Sequence, residues 1–323
     1  MLGRISRIKF FLVFIISLTL GACSSEKTNL TVSNNSTSLP EPTTESITLT
    51  DGLGRSFSLD SPAERVISLA PSNTEILYAI GAGDQLVGRD TISDYPEKAA
   101  EVPDIGGGFG ELNIETIISA NPDLVLAADL TPPEQIQALE NVGLKVYALP
   151  NPIDFEGLFA NLETVAILTG HEEETAIIID GLKSRVAQVE EIVTNANKHP
   201  LVFYELDSTD QNAPWTTGPG TFIDTLISMA GGENLGANLE GAWVQVSVEE
   251  LISRDPDIII LGDFTWGGVT PDDVASRSGW DNLSAVQNSS VFKFDDNLVS
   301  RPGPRLVDGL EAMAELLHPE LFD

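Results

Sequence analysis

Two stretches of the chain, 134 positions apart, are nearly the same segment written twice. Residues 112–129 read LNIETIISANPDLVLAAD and residues 246–263 read VSVEELISRDPDIIILGD. Six of the eighteen aligned positions are identical: Glu115/Glu249, Ile118/Ile252, Ser119/Ser253, Pro122/Pro256, Asp123/Asp257 and Asp129/Asp263. Most of the others pair apolar with apolar. Each copy has the pattern of a short helix, a Pro-Asp turn and a buried strand. A chain that carries such a unit twice is expected to fold as two similar lobes with a cleft between them. Each copy also puts a glutamate, Glu115 or Glu249, in the first turn of its helix.

The 323 residues suffice for two domains of ordinary size. A formal net charge of -32 argues against nucleic acid and anionic membrane surfaces as partners. It fits an exported protein, one adapted to salt, or a surface that docks on something basic. Residues 1–22 read as a targeting segment: Arg4, Arg7 and Lys9 precede an apolar run, Phe10 to Leu20, too short to span a bilayer. Leu20-Gly21-Ala22-Cys23 resembles the bacterial lipoprotein box, which is cleaved before the cysteine and lipidated on it. Cys23 is the only cysteine, so no disulfide can form within the chain. Two or more acyl chains there would anchor the protein stably at a membrane face. Residues 23–46, rich in Ser, Thr, Asn and Pro, cannot bury enough apolar surface to fold and are expected as a flexible tether.

The folded part divides into residues 47–155, 156–199 and 200–323. In the first, ITLTDGLGRSFSL reads as a β-hairpin and residues 65–69 as a buried strand ended by Pro71-Ser72-Asn73. A helix then runs from Thr74 to Ile80. Strands alternating with helices predict a parallel α/β sheet. Residues 156–196 show no strand pattern. Ile178, Leu182, Val186, Val189 and Val193 form one apolar stripe, and a helix over residues 172–197 would extend ~39 Å and bridge the lobes. The last part repeats the α/β pattern, with an irregular stretch around Trp266-Gly267-Gly268 and a final helix over residues 304–317.

Several strings together carry a resemblance: RVISLAPSNTEILYAIG, SDYP, NIETIISANPDLVL, PWTTGPGTFIDTLISMAGGENL, VQVSVEELISRDPDIII and RPGPRLVDGLEAMAELLHP. Over nearly all of residues 47–322 the chain resembles the substrate-binding proteins of bacterial ABC importers for iron-siderophores, haem and cobalamin. SDYP, AGGENL and the segment around Trp243 look nearest to the cobalamin-binding branch. The resemblance implies two α/β lobes joined by one long backbone helix, the helical-backbone (class III) type of periplasmic binding protein. It implies a monomer that holds a large chelate in the inter-lobe cleft and hands it to a permease dimer with ATPase subunits. Membrane contact would come only through the lipid anchor, at the cell surface or in a periplasm. It also implies that Glu115 and Glu249 dock onto arginines of the two permease subunits. Independently of the resemblance, a first-turn glutamate is favoured by the helix dipole alone.

A large flat ligand calls for aromatic faces. Phe109 in GGGFGE, Trp215 in NAPWTTGPG, Trp243 in EGAWVQ and Trp266 in FTWGG sit in polar, Gly- or Pro-rich loops rather than in core segments, and Tyr95 lies in SDYP. Phe109, Trp215 and Trp243 line up with aromatics that contact cobalamin in the resembling branch. Arg301 reads either as a polar ligand contact or as a salt-bridge partner of Asp295 or Asp296. Asp207, Asp210 and Asn297 could add hydrogen bonds. Ile92 and Ala128 stand where the cobalamin-binding relative has further aromatics, so a precursor corrinoid, a ferric siderophore or haem stays open as ligand.

His171, His199 and His318 are too few and too scattered for a bare-metal site, and no Cys cluster, H-E-x-x-H or calcium loop occurs. Gly106-Gly107-Gly108 lacks the lysine of a phosphate loop, and no serine stands in a G-x-S-x-G setting. No metal, cofactor or enzymatic activity is expected of the chain. A sensor or scavenger of the same fold is the alternative to a transport module.

Overall fold

The computed structural model describes residues 46–322. The expected signal peptide, Cys23 as the expected lipidation site and, save for Ser46, the expected tether lie outside the described residues. A hairpin of β1 (Ile47–Thr50) and β2 (Ser56–Leu59) opens the fold. Asp51 closes its turn by accepting the backbone N–H groups of Leu53 and Arg55.

The first lobe follows as β3 (Val66–Ser68), α1 (Pro71–Ala79), β4 (Leu86–Arg89), α2 (Ile114–Ser119), β5 (Leu124–Ala128), α3 (Pro133–Asn141) and β6 (Val146–Leu149). Its four strands form a parallel sheet in the order β4-β3-β5-β6. Two helices come next, α4 (Phe155–Thr169) and α5 (Glu172–Val193). The second lobe contains β7 (Leu201–Glu205), β8 (Trp215–Thr217), α6 (Phe222–Met229), β9 (Glu233–Asn234), β10 (Trp243–Gln245), α7 (Val248–Arg254) and β11 (Ile258–Leu261). It ends with α8 (Phe264–Gly267), α9 (Pro271–Ala275), α10 (Ser284–Gln287), β12 (Val291–Lys293), α11 (Asn297–Ser300) and α12 (Leu306–Leu317). Its main sheet is again parallel, in the order β12-β11-β7-β9, and β8 and β10 form a separate antiparallel ribbon.

The two sheets are built to one plan. β5 lies opposite β3 with Leu124 facing Val66, and β11 lies opposite β7 with Ile258 facing Val202. The repeated segments therefore belong to separate sheets. Both strands read as continuous apolar runs because each face of a parallel sheet is covered by helices.

Helix α5 supplies the connection. Its inner residues Ile179, Leu182, Val186 and Val189 are buried. They belong to an apolar cluster that runs from Ile76, Leu126 and Leu162 in the first lobe to Leu226, Ile260 and Leu310 in the second. Polar contacts tie the lobes as well. Arg305 grips the Glu75 carboxylate at 2.6 and 2.9 Å, and the Thr225 hydroxyl donates to Ile153 O at 2.8 Å.

Three local expectations change. The helix expected from Thr74 begins at Pro71, because proline at the first helical position has no N–H to leave unsatisfied. The bridging helix stops at Val193, for a length of ~33 Å over its 22 residues. There the Thr194 hydroxyl and the Asn195 amide turn back onto the carbonyls of Glu190 and Glu191, which competes with further helix. The stretch at Trp266 is a one-turn helix, α8, closed by Gly268 in the left-handed region.

Candidate ligand cleft and docking helices

Helices α2 and α7 are set on their sheets by matching contacts. Asn113 caps α2 by accepting the Thr116 N–H, and Ser247 caps α7 by accepting the Glu250 N–H. One residue per helix, Ile117 or Leu251, is fully buried and anchors it. Each helix ends in a left-handed residue, Asn121 at φ 46° and Asp255 at φ 51°, just before the Pro-Asp pair. Asp123 then accepts the N–H groups of Glu64 and Arg65, both at 2.9 Å, and Asp257 accepts that of Leu201 at 2.8 Å. The exposure pattern of residues 113–120 is repeated residue for residue over 247–254.

Glu115 and Glu249 thus stand on equivalent, rigid posts. Both are exposed, and neither takes part in an ion pair among the described residues. The adjacent Glu250 is held by Arg254 at 2.8 Å. Each helix runs back to the N-terminal edge of the strand after it. Its first turn, with the glutamate, lies toward the C-terminal edge, where α/β sheets bind ligands.

The aromatics expected in loops lie at these edges, but only Phe109 is in a turn: Trp215 belongs to β8, Trp243 to β10 and Trp266 to α8, where three-residue strands and a single helical turn are too short to show a period. Phe109 is 97% exposed. The three glycines before it all have positive φ, 76°, 82° and 67°, and a Cβ on Gly106 would lie 2.4 Å from Glu111 O. They make a tight turn that presents Phe109, closed by the bond from Gly107 N–H to Glu111 O. In the β8–β10 ribbon Trp215 pairs with Gln245 and Trp243 with Thr217, so the two indoles lie diagonally on one face. Asp207 and Asp210 brace the preceding loop by accepting the N–H groups of Thr209 and Asn212. Trp266 is exposed on α8 and donates from Nε1 to Asp296 at 3.1 Å.

Arg301 is only 6% exposed. Its Nη1 lies 2.5 Å from Asp94 and 3.6 Å from Glu75, both in the other lobe, and its guanidinium faces Trp266 at 6.0 Å. Its partners are therefore not Asp295 or Asp296. Asp296 serves Tyr204 and Trp266 instead, and Asp295 accepts from the Asn297 amide at 2.9 Å. Tyr95 lies under the Arg305 guanidinium, 4.0 Å from the ring centre, and borders a recess of about 270 Å³ between α1, α5 and the start of α12. Burial raises the Glu75 carboxyl above its ordinary range, and the bonds and charges of Arg305 and Arg301 oppose that rise.

Nδ1 of His171 meets Thr169 O, while His199 and His318 meet at one acceptor, Gly231 O. Among the described residues no three His, Cys, Asp or Glu side chains converge as a metal site.

Sequence reasoning missed two features. Leu130, 87% exposed, follows β5 beside Asp129, and nothing in a single apolar residue announces it. The second is a buried network at the C-terminal ends of β7 and β11. Arg277 grips Glu205 through two bonds of 2.6 and 2.8 Å, and the Ser208 hydroxyl links Arg277 to Asp263. Burial, reinforced by the Glu205 charge and opposed by the Ser208 bond and Arg277, pushes the Asp263 carboxyl up to about 7. A glutamate ending the otherwise apolar strand LVFYE was the available signal.

Residues 66–298 match the periplasmic binding protein family. The chain is 31% identical over 281 residues to an uncharacterised ABC transporter substrate-binding lipoprotein of Bacillus subtilis, covering 85% of this chain and 87% of that one. It resembles the crystal structure of a periplasmic vitamin B12-binding protein of Vibrio cholerae, with a TM-score of 0.69 at 29% identity, over 80% of this chain and 98% of that one. It also resembles a periplasmic solute-binding protein of Staphylococcus epidermidis described as a possible iron-binding protein, with a TM-score of 0.71 at 30% identity, over 80% of this chain and all of the other. Two parallel α/β lobes around a helical backbone define the class, and the chain belongs to the periplasmic binding protein family of ABC importers.

Proposed function

We propose that the chain captures cobalamin or another corrinoid between its lobes and delivers it to an ABC permease dimer driven by separate ATPase subunits. The observation that carries this reading is the exposure of aromatics that follow the C-terminal ends of strands in both lobes: Phe109 from the first, Trp215, Trp243 and Trp266 from the second. Exposed aromatics cost solvation unless an occupant covers them, and a corrinoid offers a broad face to stack on. The metal arrives inside its own chelate, so the protein needs stacking surfaces and hydrogen bonds rather than ligating side chains. Arg301 holds the Asp94 segment in place and offers its guanidinium edge to ligand amides. Glu115 and Glu249 dock on cations of the two permease subunits, one per lobe. The continuous core through α5 keeps the lobes nearly rigid, so release depends on the permease prising the cleft open. Lipidation of Cys23 keeps the protein, a monomer, on the outer side of the cell membrane.

Isothermal calorimetry against cobalamin, cobinamide, haem and a ferric siderophore tests the ligand. Corrinoid binding that quenches tryptophan emission and weakens about tenfold or more in Trp215→Ala and Trp243→Ala is expected. Tighter binding of the siderophore or haem would replace the corrinoid reading with the second one, which Ile92 and Ala128 favour by removing two aromatic faces. Binding of none of the four would overturn both.

A further inference from the structure

Ile118 and Ile252 occupy the same position of the repeated unit, and both are exposed, 47% and 39%. Each stands three residues after its glutamate, so Glu115 and Ile118 share one face of α2, and Glu249 and Ile252 share one face of α7. Neither isoleucine is needed to seat its helix, because the preceding residue, Ile117 or Leu251, is fully buried and already does so. A single exposed apolar residue needs no explanation. The same one, beside the same unpaired acid, in both lobes does need one. Of the aligned positions on these helices, Glu, Ile and Ser at 115, 118 and 119 recur unchanged at 249, 252 and 253, and all six residues are exposed. The buried positions have drifted, Ile117 to Leu251 and Leu124 to Ile258. Core packing alone produces the reverse: fixed interiors and drifting surfaces.

We infer that Glu115–Ile118–Ser119 and Glu249–Ile252–Ser253 are two copies of one contact surface, an anion beside an apolar knob, made for two equivalent subunits of a twofold partner. Each subunit would offer a cation next to an apolar hollow. The chain's net charge of -32 selects a basic partner surface, and the small serine permits close approach. The inference rests on the docking reading above and adds an apolar half to it. The ion supplies steering and orientation, and the knob supplies contact that salt does not screen.

The test uses the full chain and the host cell's cobalamin permease–ATPase complex in nanodiscs, with association measured by interferometry across a salt series. Ile118→Ser or Ile252→Ser should weaken association about fivefold, and the pair about 25-fold, with the salt dependence unchanged. Glu115→Gln with Glu249→Gln should weaken association and flatten its salt dependence. Ile177→Ser, at an exposed isoleucine on α5, should change nothing. Thermal melting of every variant should match the parent. If the serine pair melts lower, Ile118→Thr and Ile252→Thr, which keep the β-branch and one methyl group, carry the test with a smaller loss in the same direction. Wild-type association of the isoleucine pair, alongside lost association of the glutamine pair, would overturn the inference and leave the docking reading standing. Wild-type association of both pairs, or no association of the parent chain, would overturn the docking reading itself.

Discussion

Where the first lobe carries Leu69, at the end of β3, the second carries Glu205 at the end of β7, although the two strands occupy the same place in matching sheets. The twin aspartates after β5 and β11 part in the same way. Asp129 is exposed, while Asp263 is buried against Ser208 and beside Glu205. The first lobe's polar contacts near this edge are an unlike set, in which Thr74 bonds Ser68 and Ser93, and Ser93 bonds Asp90. Where the second lobe has the ribbon that holds Trp215 and Trp243, the first lobe has, among the described residues, only isolated bridges, Arg89–Asp104 and Gly106–Leu112, and the Phe109 turn. Yet helices α2 and α7 match in cap, exposure and terminal turn. On the proposed function this division has a physical cause. The outer helices meet two equivalent subunits and must stay alike. The strand ends meet the two unlike sides of one asymmetric ligand and must differ.

Breaking the second lobe's distinctive network gives the largest expected effect. Arg277 and Glu205 are both buried, so Arg277→Ala leaves an uncompensated carboxylate and should cost about 3–5 kcal/mol in urea unfolding. The first lobe has Leu69 at the place of Glu205, so Leu69→Ala there should behave as an ordinary cavity substitution with no dependence on pH. A stability loss in Arg277→Ala no larger than that of a surface change would mean the network is idle.

Asp263 sharpens the contrast. Its carboxyl is raised to about 7 in the fold, against an ordinary value of 3.8. A raised folded value means that protonation favours the folded state. The contribution is complete below the ordinary value and disappears as pH climbs through about 7. Between pH 5 and pH 8 the parent chain should lose roughly 2 kcal/mol from this group, and Asp263→Asn should remove most of that loss. Asp129→Asn, at the exposed twin, should leave the pH profile unchanged. Parallel pH profiles for parent and Asp263→Asn would show that Asp263 titrates normally.

The division between lobes also explains what could be read in advance. Repetition and periodicity are local, so the twin units, the alternation of strands and helices and the apolar stripe of α5 were legible. The ribbon was not, since three-residue strands such as Trp215–Thr217 have no period to detect. Pro71 could end a strand or begin a helix, and the sequence pattern weighed the first. The partners of Arg301 lie more than 200 positions away, at Asp94 and Glu75. Nearby Asp295 and Asp296 were the natural sequence guesses, but Asp296 is taken up by Tyr204 and Trp266. Ion pairs across a cleft depend on how two separately folded sheets meet, which no single segment encodes. The glycines at 106–108 were visible as a Gly-rich loop around Phe109, but their use, a tight turn that holds Phe109 outward, depends on the carbonyl of Glu111 that closes it.

The smallest effect probes a place where the matched helices share a backbone conformation but differ in chemistry. Asn121 and Asp255 both hold left-handed backbone, which is uncomfortable for any residue with a Cβ. No side-chain bond from Asn121 offsets that strain among the described residues, so Asn121→Gly should relieve it and stabilise by about 0.5–1 kcal/mol. Asp255 uses the same conformation to aim its carboxylate at the start of α10, accepting the Ser284 N–H and hydroxyl, both at 2.7 Å. Those bonds hold the Asp255 carboxyl below its ordinary value. Asp255→Gly relieves the same strain but loses the cap, so it should be neutral or destabilising by up to about 1 kcal/mol. Because the depressed carboxyl contributes only while ionised, the gap between Asp255→Gly and the parent should shrink as pH falls below the ordinary carboxylate range, while the gain in Asn121→Gly stays constant. Equal, pH-independent gains from both glycines would show that the Asp255 cap is without consequence and that the two turns are energetically as well as geometrically the same.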